Sequence, residues 1–432
     1  MPPRARRGSG GGWRFPAVLA ALLCAGCGAS SSAHRTLTVW AVGRESEIIA
    51  KLLPEFSRRH PDLEVRVQRL PWSAAHQMLL TAFAGDATPD LCQLGNSWLA
   101  EFAALGALEP LEERAARSAV VRPADYFPGI WDTNVLGGHL YGVPWYVDTR
   151  LLFYRRDLLA QAGFATPPRT WAEWSEMLAA IKAQVGPERY SVLLPLNEFE
   201  PLLVLALQQP DPLLRDDGRF GNFESAGFRR ALGFYREAFV RGWAPPVANT
   251  QISNVWDELG HGYYSFYISG PWNIAEFRQR LPPERQGSWM TAPMPGPDGP
   301  GASVAGGSSL VVFRRSRHRE DAWLLLEFLS EPAVQRRFYE LSGDLPPRRS
   351  SWDDPRLADN VYAHAFREQL ERLRPSPKVP ELERIVTEMR LVAERVVHGD
   401  LTVDEGVVDL DRTVDAILAK RRWMLARAAA TP

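Results

Sequence analysis

Apolar positions change their period several times along the chain, and each change marks an element. Residues 37–41 (LTVWA) have the pattern of a short buried strand, and apolar side chains at 48, 49, 52, 53 and 56 then recur at helical spacing. Residues 63–70 alternate as a strand, 73–83 are helical, 90–94 form a third short strand, and 98–108 (WLAEFAALGAL) return to a helix. This β-α-β-α-β-α rhythm with short loops predicts a mostly parallel sheet with helices on both faces. A second series follows. Residues 171–183 read as a helix opened by Thr170, with Glu173 three positions on to complete a capping box. Strands at 191–196 and 263–268 flank a long helix at 223–240, and the later strand ends at Gly270-Pro271, where proline starts another helix. A Pro/Gly-rich loop at 293–301 leads to a strand at 309–313. From Glu320 onward the chain is almost all helical, with Thr402 and Glu405 capping the last helix. No internal repeat is evident.

At 432 residues the chain exceeds the roughly 250–300 that a single core supports. The two series therefore predict an α/β protein of two lobes with a C-terminal helical wrap. The chain has to cross between lobes near residues 141–150 and again near the 290s, and clefts between lobes are favoured ligand sites. The first crossing reads YGVPWYVDTR. A proline inside a strand belongs at an edge or a bend, and Asp148, close to the rings of Trp145 and Tyr146, needs a partner.

The N-terminus reads as an address. Arg4, Arg6, Arg7 and Arg14 supply positive charge, residues 15–24 an apolar stretch, and small and polar residues follow, the arrangement of a secretory signal over residues 1–26. Ala25 and Gly26 precede Cys27, similar to the bacterial lipoprotein box in which the cysteine is lipidated and becomes the new N-terminus. Cys24 stands where that box usually has leucine. The alternative is a plain signal cut near Ala29. Residues 27–35 would be a tether. No other stretch is long and apolar enough to span a membrane, so the mature protein is expected to be exported and tethered to a membrane, periplasmic or at the cell surface.

Composition is that of a globular protein, and the formal net charge of −1 gives no attraction to nucleic acid. With only three cysteines, one in the signal, one at the lipidation position and Cys92 alone in a strand, neither a disulfide framework nor a cysteine metal site is expected. The eight histidines lack the spacing of a zinc helix, and neither a Walker A loop nor a Rossmann fingerprint occurs, so no cofactor is expected. No G-x-S-x-G elbow is present. Asp148 and Glu200 could pair as glycosidase carboxylates, or they could simply accept hydrogen bonds from hydroxyls.

Several stretches in order carry a resemblance: LTVWAVGRESE (37–47), LLPEFSRRHPDLEVRVQRLPW (52–72), AGDATPDLCQLGNSWLAEFAALGALEPL (84–111), YGVPWYVDTRLLFYRRDLLAQAG (141–163), TWAEW (170–174), ISGPWNI (268–274), AGGSSLVVF (305–313) and LSGDLPPRRS (341–350). From Leu37 to the last helix the chain resembles the extracellular solute-binding proteins of family 1, the sugar-capturing lipoproteins of ABC importers related to maltose- and trehalose-binding proteins. The resemblance implies a two-lobed α/β fold of the periplasmic-binding-protein kind, with sugar held in a hinge-closing cleft. It implies a first lobe of residues 36–147 plus 292–316 and a second of 148–291 plus 317–432. It implies a binding protein and not an enzyme, usually monomeric, whose partners are a sugar and the permease subunits of an ABC transporter. Two rival readings are a secreted glycoside hydrolase and a ligand-capturing partner of a membrane sensor.

The same resemblance nominates ligand-binding residues. Asp148 is expected to accept sugar hydroxyls, since a charged acceptor makes the stronger hydrogen bond. Tyr146 offers a ring face, or is a core ring with its hydroxyl satisfied. Trp145, pointing the other way on a regular strand, is expected in packing. Trp272 matches a stacking tryptophan at a helix start, or packs between lobes. Gly306 and Gly307 match a turn that lets backbone approach the ligand, or form a simple turn. Glu45 is a cleft residue or an acid at a helix N-terminus, Asn96 a ligand amide or a helix cap, and Glu200 a cleft acid or a surface charge. Arg348 could reach the cleft but, beside Arg349, is expected to be half of a solvated pair, and Trp40 is expected to be a core residue rather than a ligand platform.

Overall fold

The computed structural model describes residues 35–429. The signal segment and Cys27 lie outside the described residues. Among the described residues, nine strands of four or more residues build two sheets: β1 (Arg35–Val42), β2 (Leu63–Leu70), β3 (Leu91–Gly95), β4 (Val143–Asp148), β5 (Leu151–Arg155), β6 (Tyr190–Leu193), β7 (Tyr264–Ser269), β8 (Trp289–Ala292) and β9 (Gly306–Val312). Arg35, counted above with the tether, already opens β1. The helices that matter here are α1 (Glu45–Arg59), α2 (Trp72–Ala84), α3 (Trp171–Val185), α4 (Glu200–Leu207), α5 (Ala226–Val240), α6 (Trp272–Arg280), α7 (Arg319–Leu329), α8 (Pro332–Ser342), α9 (Leu382–His398) and α10 (Val403–Ala429).

The first sheet has the order β2-β1-β3-β9-β4, and the second the order β8-β5-β7-β6. The expectation of a mostly parallel sheet holds for the three strands of the first series and fails for the strands that follow. β1 is parallel to β2 and β3, but β9 runs antiparallel to β3 and β4, and in the second sheet only β6 and β7 are parallel. The antiparallel members are the segments on which the chain changes sheet. β4 belongs to the first sheet and β5 to the second, with only Thr149 and Arg150 between; β8 and β9 are joined by the Pro/Gly-rich loop.

Each sheet is covered on both faces, as period-2 alternation requires. Leu152 and Tyr154 of β5 enter one apolar cluster with α3, α4, α5, α9 and α10, while Leu151 and Phe153 enter another with Phe277 of α6 and Trp289 of β8. On the first sheet, Leu37, Val39 and Ala41 face α1, and Val42, Leu94 and Val311 face Ala75 and Leu79 of α2. Thr170 and Glu173 form the capping box of α3, and Thr402 and Glu405 exchange hydrogen bonds at the start of α10.

Two sequence expectations fail here. Residues 317–342 were grouped with the second lobe, yet α7 and α8 pack on the first sheet, where Phe328 meets Phe56 at 5.4 Å and Phe338 meets Trp145 at 4.4 Å. Arg348 is no solvated pair: it is 1% exposed, donates to the Ser330 carbonyl at 2.6 Å and is ion-paired with Asp125 at 2.8 Å. Its charge is matched by a carboxylate, which permits the burial. Trp40 is only partly buried, at the margin of the α2 cluster.

Candidate functional site

Pro144 explains the shape of the first crossing. β4 is an edge strand, and its register to β9 slips between Ser308, opposite Tyr146, and Ser309, opposite Pro144. The skipped residue is Trp145. Such a bulge re-aims side chains, so Trp145 and Tyr146 do not simply alternate: both rings join the cluster around Phe338, at 4.4 and 6.0 Å. Trp145 is packing, as expected. Beyond the bulge the strand delivers Asp148 to a cleft of about 550 Å³ between the sheets.

That cleft brings together all eight nominated residues: Glu45, Asn96, Tyr146, Asp148, Glu200, Trp272, Gly306 and Gly307. Their roles in the fold differ. Glu45 opens α1, whose preceding residue supplies no side-chain cap, so the dipole and the cleft share it. Its Oε2 is buried without a hydrogen-bond partner, and burial pushes its carboxyl up against the pull of Arg44. Asn96 starts a short 3-10 turn but makes no cap; its Oδ1 accepts from Ser309 Oγ at 2.9 Å and its Nδ2 has no protein partner. The amide nitrogen is thus a buried donor left without a hydrogen-bond partner at the wall of the cleft.

Tyr146 is more core than platform. It is 6% exposed, and its hydroxyl is engaged by Gln93 Nε2 at 3.1 Å and Ser308 Oγ at 3.0 Å. Gly306 and Gly307 form no turn; they begin β9, opposite Asp148 and Val147. A Cβ on Gly306 would lie 2.3 Å from the Asp148 carbonyl oxygen, and one on Gly307 2.3 Å from that of Tyr146, where φ is also +122°. The approach that demands glycine is therefore to β4.

Trp272 opens α6 behind Pro271, with its ring folded over Gly270, where a Cβ would come within 1.9 Å of it. It stays 36% exposed. Glu200 opens α4 and is half-buried. Asp148 is not a free acceptor: Arg150 pairs with it and with Glu200, the latter at 2.7 Å, and lies over the Trp272 ring at 4.9 Å. Burial raises the Asp148 carboxyl, and Arg150 works against that rise. For Arg150 burial opposes the charge, but Asp148 and Glu200 outweigh it and drive its pKa up.

Three cleft residues were missed. Arg150 stands in the quoted crossing but was passed over as a site residue. Asp344, in the stretch LSGDLPPRRS, is buried beside Glu45 and Asp148, and burial followed by Glu45 pushes its carboxyl up to about 7. Trp72 opens α2 and lies 5.8 Å from Trp98. A signal existed for it: Pro71-Trp72 repeats the Pro271-Trp272 arrangement at a helix start.

Comparison with known proteins fits this geometry. Residues 42–336 match the profile of bacterial extracellular solute-binding proteins. The chain belongs to the bacterial extracellular solute-binding protein family. This solute-binding protein superposes on the sugar-binding protein MalE from the phytopathogen Xanthomonas citri with a TM-score of 0.88 and 58% identity, covering 90% of this chain and 99% of that one. It is similar, at 26% identity and a TM-score of 0.76, to a solute-binding protein from Thermotoga lettingae TMO bound with alpha-D-tagatose, covering 89% of this chain and 100% of the other. It is 30% identical to an uncharacterized lipoprotein in the oleD 5′ region of Streptomyces antibioticus over 82% of this chain and 81% of the relative. The family and these structural neighbours are binding proteins.

Among the described residues of this solute-binding protein, no cluster of three or more His, Cys, Asp or Glu could hold a metal ion, and no helix is long and apolar enough to cross a membrane. Asp148 and Glu200, the pair that could have served a hydrolase, share a guanidinium.

Proposed function

We propose that this protein captures a sugar for an ABC importer, delivers it to the permease subunits, and works as a monomer. The observation that carries the reading is the make-up of one interlobe cleft: a partly exposed Trp272 ring, carboxylates at Asp148 and Glu200, and an Asn96 amide whose nitrogen has no partner. An aromatic face suits the C–H face of a pyranose, while carboxylates and amides suit its hydroxyls. The similarity to a sugar-binding protein supports the same choice. Glu45, Asp148, Glu200 and Trp272 are assigned to ligand contact. Tyr146, Gly306 and Gly307 are assigned to the wall that shapes it. Cys27 is assigned as the lipidated residue that tethers the exported protein to a membrane.

Isothermal titration of residues 30–432 against a panel of mono- and oligosaccharides, after stripping by partial unfolding, tests the reading. Saturable binding is expected, and Trp272→Ala should weaken it by about 1–3 kcal/mol, the range of an aromatic contact with its buried area. Turnover of the sugar would move the protein to the hydrolases, and silence across the panel would remove sugars as its cargo.

A further inference from the structure

We propose that Arg150 is a positioning residue of the cleft, one that decides which atoms of Asp148, Glu200 and Trp272 a ligand can reach; this rests on the sugar-binding reading above. The three groups come from three places: the end of β4, the first turn of α4 and the first turn of α6. Arg150 sits in the two-residue link between the sheets, and its side chain, 11% exposed, touches all of them. Its Nη1 donates to Asp148 Oδ1, and its Nη2 donates to Glu200 Oε1 at 2.7 Å. The second oxygen of each carboxylate has no hydrogen-bond partner among the described residues.

This geometry has three consequences. Asp148 Oδ2 and Glu200 Oε2 are the acceptors left for hydroxyls, so the acceptor pattern is set before any ligand arrives. The guanidinium lies over the Trp272 ring and the ring rests against Gly270, so a pyranose stacks only on the part of the ring that stays exposed. Two neighbouring carboxylates repel each other, and the cation between them offsets that repulsion. A planar guanidinium can bind two carboxylates and lie on a ring at once; a lysine ammonium is a point charge and cannot. The other titratable groups that act on this unit are Glu198 and Tyr267 on Arg150, and Asp344, which is coupled to Asp148.

The test compares the wild type with Arg150→Gln, Arg150→Lys and the triple variant Asp148→Asn/Arg150→Gln/Glu200→Gln in two measurements. In calorimetry with the sugar that binds the wild type, Arg150→Gln should lose affinity roughly 30-fold, with partial recovery in Arg150→Lys. The ratio to wild type should widen as pH falls from 8 to 5.5, because Asp148 without its cation takes up a proton more readily. In thermal melting without ligand, the Tm deficit of Arg150→Gln should instead grow as pH rises, when both carboxylates are charged and unpaired, and the triple variant should abolish that trend. A deficit equal at every pH would reduce Arg150 to packing, and unchanged affinity would overturn the proposal. If the wild type binds no sugar, the functional reading falls, while melting still decides whether Arg150 holds the two charges.

Discussion

Asp344 is the residue at which the cleft's electrostatics become measurable. Its carboxyl is pushed up to about 7 by burial and by Glu45, while Arg44 pulls the other way. An acid with a raised folded-state pKa holds its proton better folded than unfolded. Its contribution to stability is therefore full below the ordinary carboxylate range and is lost as pH climbs through about 7. A rise of about three units corresponds to roughly 4 kcal/mol. The ligand-free protein should thus melt higher at pH 5.5 than at pH 8, and Asp344→Asn should flatten that slope and melt above wild type at pH 8. Equal slopes in the two proteins, followed by scanning fluorimetry, would show that Asp344 stays charged throughout. The residue was legible as part of a matching stretch but not as a site, because a single acid in sequence does not reveal which other acids the fold sets beside it. The same holds for Arg150: its nearness to Asp148 was visible, and Asp148 and Glu200 could be paired on paper, but not that one guanidinium joins them.

Elements were more legible than their partners. Thr170, Glu173, Thr402 and Glu405 announced helix starts because capping is local chemistry completed within four residues. The helical character of α7 and α8 was equally visible, but helical character does not say which sheet a helix will cover. That choice was made by Trp145 and Phe56, which offer Phe338 and Phe328 ring contacts. The bulge in β4 was half legible: Pro144 demanded an edge or a bend, and the structure has both. Gly306 and Gly307 were legible as a place of close approach but not as to what approaches. Since Gly307 sits at φ +122° with the Tyr146 carbonyl in the way of any Cβ, Gly307→Ala should cost at least about 2 kcal/mol in urea unfolding. Any affinity it loses should follow from the displaced Asp148. A variant of wild-type stability with lost binding would return Gly307 to the ligand surface.

At the scale of the whole molecule, the two sheets are joined by the link of Thr149 and Arg150 and by the loop between β8 and β9, and the groups proposed to line the ligand divide between them. Glu45, Asn96 and Asp148 come from the first sheet and its helices, Glu200 and Trp272 from the second. A ligand gripped from both sides stabilises whichever arrangement brings the two sets closest, by its differential affinity for that arrangement and no more. Ligand at about a hundred times Kd should then raise unfolding stability by about 2.7 kcal/mol, and small-angle scattering should report a smaller radius of gyration at saturation. Asp148→Ala and Trp272→Ala separate the contributions: the first removes a group from the end of β4, next to the link, the second one from the far lobe. If closure is driven from both sides, each variant, saturated at higher ligand concentration, should contract less than wild type. Full contraction in Trp272→Ala but not in Asp148→Ala would place the drive at the β4–β5 link. An unchanged radius in saturated wild type would mean that the cleft binds its cargo with the lobes fixed.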